Sequence, residues 1–101
     1  MNEFTTIRYE VRAGVAHIRL ARPQAANAIN PAFAREFRAA MIRIEFDDKV
    51  KAVSVTADGS VFCAGGDLKE LHAAGKELPQ LASSMLLDYH GAIYKMNRTP
   101  K

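Results

Sequence analysis

The sequence is poor in the residues that form cross-links or membrane spans. It contains one cysteine, Cys63, and no tryptophan. A single thiol excludes an internal disulfide and offers no cysteine-based metal site, so we expect a reducing compartment. No apolar run approaches the length of a membrane span, and the polar N-terminus lacks the apolar core of a signal peptide. These absences predict a cytoplasmic protein that does not contact membranes.

The sequence also has no strong excess of positive or negative charge. The 14 Lys and Arg residues against 11 Asp and Glu give a formal net charge of +3. The basic residues are scattered, and they form no stripe interleaved with aromatic residues of the kind that binds nucleic acid. A phosphate-bearing ligand would suit this balance, but a solvated surface explains it equally well. We expect no nucleic-acid partner.

Composition is typical of one small folded unit. Hydrophobic residues make up 49% and charged residues 25% of the chain, unlike disordered or fibrous proteins. A chain of 101 residues can bury one core, with little surplus over the entropy of ordering it. We therefore expect residues 1–101 to form one compact unit.

The first quarter of the chain shows the period of β-strands. Residues 7–12 and 15–20 alternate apolar and polar side chains. Ala13 and Gly14 lie between the two runs, so the pattern predicts a β-hairpin. Residues 21–30 are broken by a proline and two asparagines, which indicates a loop.

A helix is predicted to follow this loop. The Asn30 side chain can accept a free N–H group, and Pro31 loses no hydrogen bond at the first helical position. Apolar residues then recur at spacings of three and four through about Asp47, giving one apolar face. Its members are Phe33, Phe37, Ala40, Met41 and Ile44.

The second half predicts a strand and two helices. β-Branched residues at 52–57 indicate a strand. A short helix is predicted to begin at Asp67, whose carboxylate can cap it, and to end before Gly75. Helical period returns from Pro79 and stops before Pro100. It runs through Leu81, Met85, Asp88 or Tyr89, Ala92 and Met96. The order of elements is hairpin, helix, strand, turn and two helices, an α/β arrangement.

The segment FCAGGDL at residues 62–68 is the best candidate for chemistry. A helix N-terminus carries free N–H groups and partial positive charge, which favour an anion or a developing oxyanion. Gly66 has no side chain, so its own N–H is accessible. Such an amide can stabilise the enolate-like oxygen formed from a thioester. Paired glycines before a helix are also common without any catalytic role, and the adjacent Cys63 is expected to be an inert, buried residue at a strand end.

Three blocks along the chain form an ordered set. They are RPQAANAIN at residues 22–30, KAVSVT at 51–56 and FCAGGDLKE at 62–70. Together they resemble successive blocks of the crotonase (enoyl-CoA hydratase/isomerase) superfamily, over essentially the whole chain. The resemblance implies an α/β, crotonase-like (ClpP/crotonase) fold, of which residues 1–101 are the N-terminal part. Family members are considerably longer, so we expect the C-terminal half to be absent.

The same resemblance implies a binding site. Gly66 matches the position whose backbone N–H forms half of an oxyanion hole, and residues 66–69 match the stretch that lines the thioester and pantetheine. Alanines at three positions would lie near the adenine and ribose of coenzyme A, although loop packing explains them equally well. Asp67 is expected to cap its helix rather than contact substrate. The implied substrate-binding residues are Ala26, Ala28, Ala64, Gly66, Asp67, Leu68 and Lys69.

The implied function is that of an acyl-CoA enzyme, most simply an enoyl-CoA hydratase or isomerase of fatty acid metabolism. Coenzyme A would arrive as part of the substrate, so no separate cofactor and no metal are expected. The full-length protein would be a homo-oligomer, a trimer or hexamer. One oxyanion donor without the family's acid and base glutamates predicts that this chain alone is inactive. The alternative is a non-catalytic module for acyl-CoA binding or subunit association.

Overall fold

The computed structural model describes residues 4–101. Its elements are β1 (Ile7–Arg12), β2 (Val15–Leu20), a 3₁₀ turn (Pro23–Ala25), α1 (Pro31–Glu45), β3 (Ala52–Ala57), α2 (Leu68–Ala73), a second 3₁₀ turn (Gly75–Glu77) and α3 (Leu78–Arg98). The predicted order is confirmed, and the three strands have the predicted bounds. The 3₁₀ turn inside the first loop was not predicted.

The three strands form one sheet in the order β1-β2-β3. β1 and β2 are antiparallel, whereas β2 and β3 are parallel and are connected through α1. Ile18 lies between Tyr9 on one neighbour and Val55 on the other, so apolar residues of all three strands share one face. Ile18 is fully buried, which identifies this face as the core side.

Helix α1 covers the core side because of its cap and its apolar stripe. Asn30 has extended backbone, and its Oδ1 accepts a hydrogen bond from the Phe33 N–H at 2.8 Å. Pro31 occupies the first turn, as predicted. The predicted apolar face is confirmed as buried, and Ala34 belongs to it as well. Burial of one large apolar side chain contributes about 1.5–3 kcal/mol, so this face accounts for much of the stability of the fold.

Helix α3 packs against α1 through an aromatic cluster. The rings of Phe33 and Phe37 are stacked with their centroids 5.7 Å apart, and the Tyr89 ring lies 6.4 Å and 6.3 Å from them. Met85 and Ala92 are buried, as the pattern predicted. Met96, also predicted on the apolar face, is 37% exposed. None of the helices in residues 4–101 has both the length and the apolar character of a membrane span.

A carboxylate fastens the start of β1 to α1. Glu36 accepts hydrogen bonds from the backbone N–H and the hydroxyl of both Thr5 and Thr6, at 2.8–3.0 Å. Burial alone would raise the pKa of Glu36, but these four hydrogen bonds stabilise the charged form, and the net effect lowers the pKa. The N-terminal segment is therefore attached to α1 by polar contacts as well as by packing.

Candidate active site

The glycine turn is attached to the first loop by a short parallel ladder. The Ile29 N–H donates to the Gly65 carbonyl at 2.6 Å, and the Asp67 N–H donates to the Ile29 carbonyl at 2.7 Å. Ile29 and Gly66 thus form an isolated parallel bridge. Gly65 has a φ of +94°, a conformation that glycine adopts without strain. The two glycines therefore have different roles: Gly65 makes the bend, and Gly66 is held by it.

This bridge determines where the Gly66 amide points. In a parallel bridge, the partner strand bonds to the residues before and after the bridging residue, so the N–H of Gly66 faces away from Ile29. That N–H makes no hydrogen bond within residues 4–101, and Gly66 is exposed. A Cβ placed on Gly66 would meet only Leu71 Cδ1, at 3.7 Å. Gly66 thus presents an unpaired, accessible N–H immediately before α2.

Arg22 connects both sides of the ladder. Its Nη1 donates to the Ala28 carbonyl at 2.6 Å, and its Nη2 donates to Asp67 Oδ2 at 3.0 Å. The side chains of Arg22 and Asp67 are only 15% and 12% exposed, so water screens this ion pair weakly. Sequence analysis missed this role, because the two residues are far apart in the chain and no periodic pattern relates them.

Asp67 caps α2, as predicted. Its Oδ1 accepts a hydrogen bond from the Glu70 N–H at 3.1 Å. This backbone hydrogen bond and the bond from Arg22 stabilise the ionised form and lower the pKa of Asp67 below its usual range. Because its two oxygens have these partners, Asp67 contributes to the site by shaping it.

Two asparagines support the ladder from the loop side. Asn27 is buried, and its Nδ2 donates to the carbonyls of Asp58 and Val61, both at 2.8 Å. Its Oδ1 accepts from the Arg22 N–H at 2.8 Å. The second asparagine, the cap of α1, donates from Nδ2 to Glu70 Oε2 at 3.0 Å. The polar residues of the RPQAANAIN block therefore hold the glycine turn in place.

The three alanines occupy different environments. Ala28 is buried, and its N–H and carbonyl are bonded to Ala25 and Arg22, which leaves no exposed group for a ligand. The Ala26 carbonyl is occupied too, because it accepts from the Ala64 N–H at 3.1 Å. Ala64 is exposed, and its carbonyl has no hydrogen-bond partner within residues 4–101. Of the three, Ala64 offers the available polar group.

An open groove borders α2 beside the glycine turn. Its volume is about 580 Å³, and it is lined by Leu68, Lys69, Leu71, His72 and Leu78. The predicted site residue Leu68 is 80% exposed here. Leu71 is also the residue that a Cβ on Gly66 would meet, so Gly66 borders the groove. The structure therefore places Leu68 and Lys69 in the groove and Gly66 beside it.

A second, more apolar cavity lies on the core side of the turn, with a volume of about 260 Å³. Phe62, Cys63 and Tyr89 are among its lining residues. The prediction that Cys63 is a buried strand-end residue is wrong. β3 ends at Ala57, so Cys63 lies in irregular backbone and is half-buried, while Phe62 is 57% exposed. Burial raises the pKa of Tyr89.

A known protein family matches the part of the chain that contains these blocks of sequence. The family model described as "Enoyl-CoA hydratase/isomerase" matches residues 10–99. The chain belongs to the enoyl-CoA hydratase/isomerase family. The match spans the loop, β3 and the glycine turn, so the resemblance noted in the sequence is confirmed.

Individual relatives agree with this assignment. A Rhodobacter capsulatus protein named "Probable enoyl-CoA hydratase" is 40% identical over 75 residues, which cover 74% of this chain and 28% of that protein. The Arthrobacter "4-chlorobenzoyl coenzyme A dehalogenase-2" is 36% identical over 96 residues, covering 94% of this chain and 35% of the relative. The chain thus spans about a third of the length of these enoyl-CoA hydratase/isomerase family relatives.

The fold agrees with that of solved family structures. An enoyl-CoA hydratase from Shewanella pealeana superposes with a TM-score of 0.86 over 98% of this chain and 37% of its own, at 18% sequence identity. At that identity the likeness concerns the fold alone. The predicted α/β, crotonase-like fold is confirmed.

Proposed function

We propose that this chain binds an acyl-CoA thioester and polarises its carbonyl through the Gly66 N–H. The observation that carries the proposal is the exposed, unpaired amide that the bridge to Ile29 holds in front of α2. A fixed donor of this kind stabilises the negative charge that develops on a thioester oxygen. The two relatives, named as a hydratase and a dehalogenase, are both named for coenzyme A thioesters, which supports this substrate class.

The groove beside Gly66 supplies surfaces for the rest of the ligand. Leu68 and Leu71 offer apolar contact for a pantetheine or acyl chain. Lys69 borders the same groove and could pair with a phosphate. The free Ala64 carbonyl can accept a hydrogen bond from the adenine amino group. Ala28 is not part of this proposal, because it is buried and both its backbone groups are bonded.

Proton transfer needs a group other than the carboxylates near the turn. Asp67 is paired with Arg22 and caps α2, and Glu70 accepts from Asn30. The lowered pKa of Asp67 makes it a poor general acid near neutral pH, and both its oxygens already have partners. We therefore propose that hydration or isomerisation of an enoyl-CoA uses glutamates supplied from outside residues 4–101, and that this chain alone binds without turnover.

Binding of crotonyl-CoA carrying ¹³C at the thioester carbonyl tests the role of Gly66. We expect a downfield carbonyl shift on binding, because a hydrogen bond to the oxygen withdraws electron density from the carbon. Gly66→Pro removes the N–H and should abolish the shift. Gly66→Ala is the matched control, since it keeps the N–H and its Cβ finds an ordinary contact with Leu71. Absence of a shift with the unaltered chain, or a full shift with Gly66→Pro, would contradict the proposal.

Turnover is tested separately from binding. Incubation with a panel of enoyl-CoA thioesters should leave their conjugated absorption unchanged when the 101-residue chain is the only protein present. A steady loss of absorption would show that the chain carries its own acid and base. That result would overturn the assignment of proton transfer to outside groups while leaving the Gly66 role intact.

The main alternative is a non-catalytic module for acyl-CoA binding or subunit association. Calorimetric binding of coenzyme A without a ¹³C carbonyl shift would favour it over the proposed polarising role. We also place the protein in the cytoplasm and propose that the complete enzyme is a homo-oligomer acting in fatty acid metabolism. Sedimentation of the complete enzyme would test the assembly.

A further inference from the structure

Arg22 contacts both segments that hold Gly66 without bonding to Gly66 itself. One nitrogen of its guanidinium reaches the Ala28 carbonyl on the loop, and another reaches the Asp67 carboxylate on the turn. The bridging residues Ile29 and Gly66 each lie next in sequence to one of these partners. A planar guanidinium has donors at fixed angles, so it can set both the distance and the orientation between two acceptors.

Apolar packing holds the turn only weakly. α2 has six residues and none is fully buried, although Leu71 packs in part against the core. Gly65 and Gly66 allow the backbone wide freedom. An oxyanion donor must be held to within about 0.5 Å of its productive position to be effective. Asn27 and Asn30 support the turn from the loop side. The backbone bonds to Ile29 lie on both sides of Gly66, and Arg22 is the side chain that bonds to both flanking segments.

We propose that Arg22 is a positioning residue for the Gly66 amide, acting by holding the Ala28 carbonyl and the Asp67 carboxylate in one fixed geometry. The inference rests on the proposed function, because the direction of the amide matters only if it binds a thioester oxygen. Arg22 is not a catalytic residue, since it touches neither the reacting atoms nor the Gly66 N–H. If Arg22 only stabilised the fold, its loss would affect amides throughout the chain and not mainly those of the turn.

The first test needs no ligand. We compare Arg22→Gln with Arg19→Gln, which removes an arginine from an exposed ion pair with Asp58 that lies outside the turn. In ¹H–¹⁵N spectra of the 101-residue chain, Arg22→Gln should shift the Gly66 cross-peak and accelerate exchange of the Asp67 N–H. The core amide of Ile18 should stay in place. Arg19→Gln should leave the Gly66 peak unmoved.

The second test uses the labelled thioester. Arg22→Gln should remove most of the ¹³C carbonyl shift, while affinity for coenzyme A lacking an acyl group changes by less than about twofold. Arg22→Lys keeps the charge but cannot bridge two acceptors in one plane, so it should restore only part of the carbonyl shift. Full restoration by lysine would show that charge alone suffices and would overturn positioning by the guanidinium.

The outcomes separate this inference from the proposed function. If the unaltered chain gives no carbonyl shift, the proposed function fails, and the ligand-free spectra still decide whether Arg22 orients the amide. An unmoved Gly66 peak in a folded Arg22→Gln chain overturns the inference. If Arg22→Gln does not fold, Asp67→Asn decides instead, because it weakens the same link from the other end. A Gly66 peak unmoved by Asp67→Asn would likewise reject the inference.

Discussion

Two helices of this chain begin with similar capping chemistry and differ in almost everything else. α1 starts at Asn30, has 15 residues and buries six of them. α2 starts at Asp67, has six residues and buries none. Short helices are marginal in water, and most helix stability in proteins comes from packing of an apolar face. The same type of cap therefore begins a structural helix in one case and a helix that depends on polar contacts in the other.

The difference matches what each helix does for the molecule. α1 and the sheet form the core that makes the fold stable, whereas the proposed role of the Gly66 amide requires backbone N–H groups at the start of α2 to stay open. A buried helix start would have no such groups to offer. The glycine turn is thus attached to the rest of the fold mainly by hydrogen bonds and one ion pair, with Leu71 as a partly buried apolar contact.

The largest expected effect comes from α1. Phe37→Ala should lower the free energy of unfolding by about 3–5 kcal/mol, because the ring is 4% exposed and its removal leaves a cavity. Phe46→Ala is the matched control, since Phe46 is 78% exposed and its loss should change stability by about 0.5 kcal/mol or less. Urea denaturation followed by circular dichroism measures both. Similar values for the two variants would contradict the view that the α1 face carries the stability.

An intermediate effect is expected at the residue that joins the two helices. Asn30→Ala removes the cap of α1 and the hydrogen bond to Glu70 on α2, and should cost about 2 kcal/mol in all. Asn97→Ala, at an exposed position of α3, provides the control and should be nearly neutral. Urea denaturation gives the free energy, and ¹H–¹⁵N spectra should show changes in both helices. Spectral changes confined to α1 would contradict the view that Asn30 connects the two helices.

The smallest effect is expected in acid, where Glu36 on α1 and Asp67 at the start of α2 become protonated. The folded-state pKa values of Glu36 and Asp67 are both lowered, so each contributes stability that is complete above its unfolded pKa and is lost as pH falls through the folded value. Stability should fall as the pH drops below the ordinary pKa values of glutamate and aspartate. Glu36→Gln and Asp67→Asn should each make that fall shallower in urea denaturation. Asp67→Asn should in addition alter the acid titration of the α2 amides, and an unchanged titration of these amides would contradict the contribution of Asp67.

The parts of the fold that follow from periodicity could be predicted from the sequence. The hairpin, α1 and β3 each carry a repeating apolar pattern whose period matches the observed element. The contacts that shape the site do not repeat. Arg22 and Asp67 meet only because the loop and the turn form a ladder, and no sequence pattern indicates which polar residues pair. Gly66 could be singled out as a candidate because a glycine pair before a capped helix has a local signature, whereas the burial of Ala28 depends on the whole fold.

The bridge between Ile29 and Gly66 also bears on the order of folding. It joins two points separated by all of α1 and β3, so it closes a long chain loop and carries the entropic cost of closure. That cost falls once α1 and β3 have docked on β2, since the ends of the loop are then already close. We therefore expect the turn to form after the core and to open before it. The Gly66 amide would then acquire its direction as one of the last events of folding.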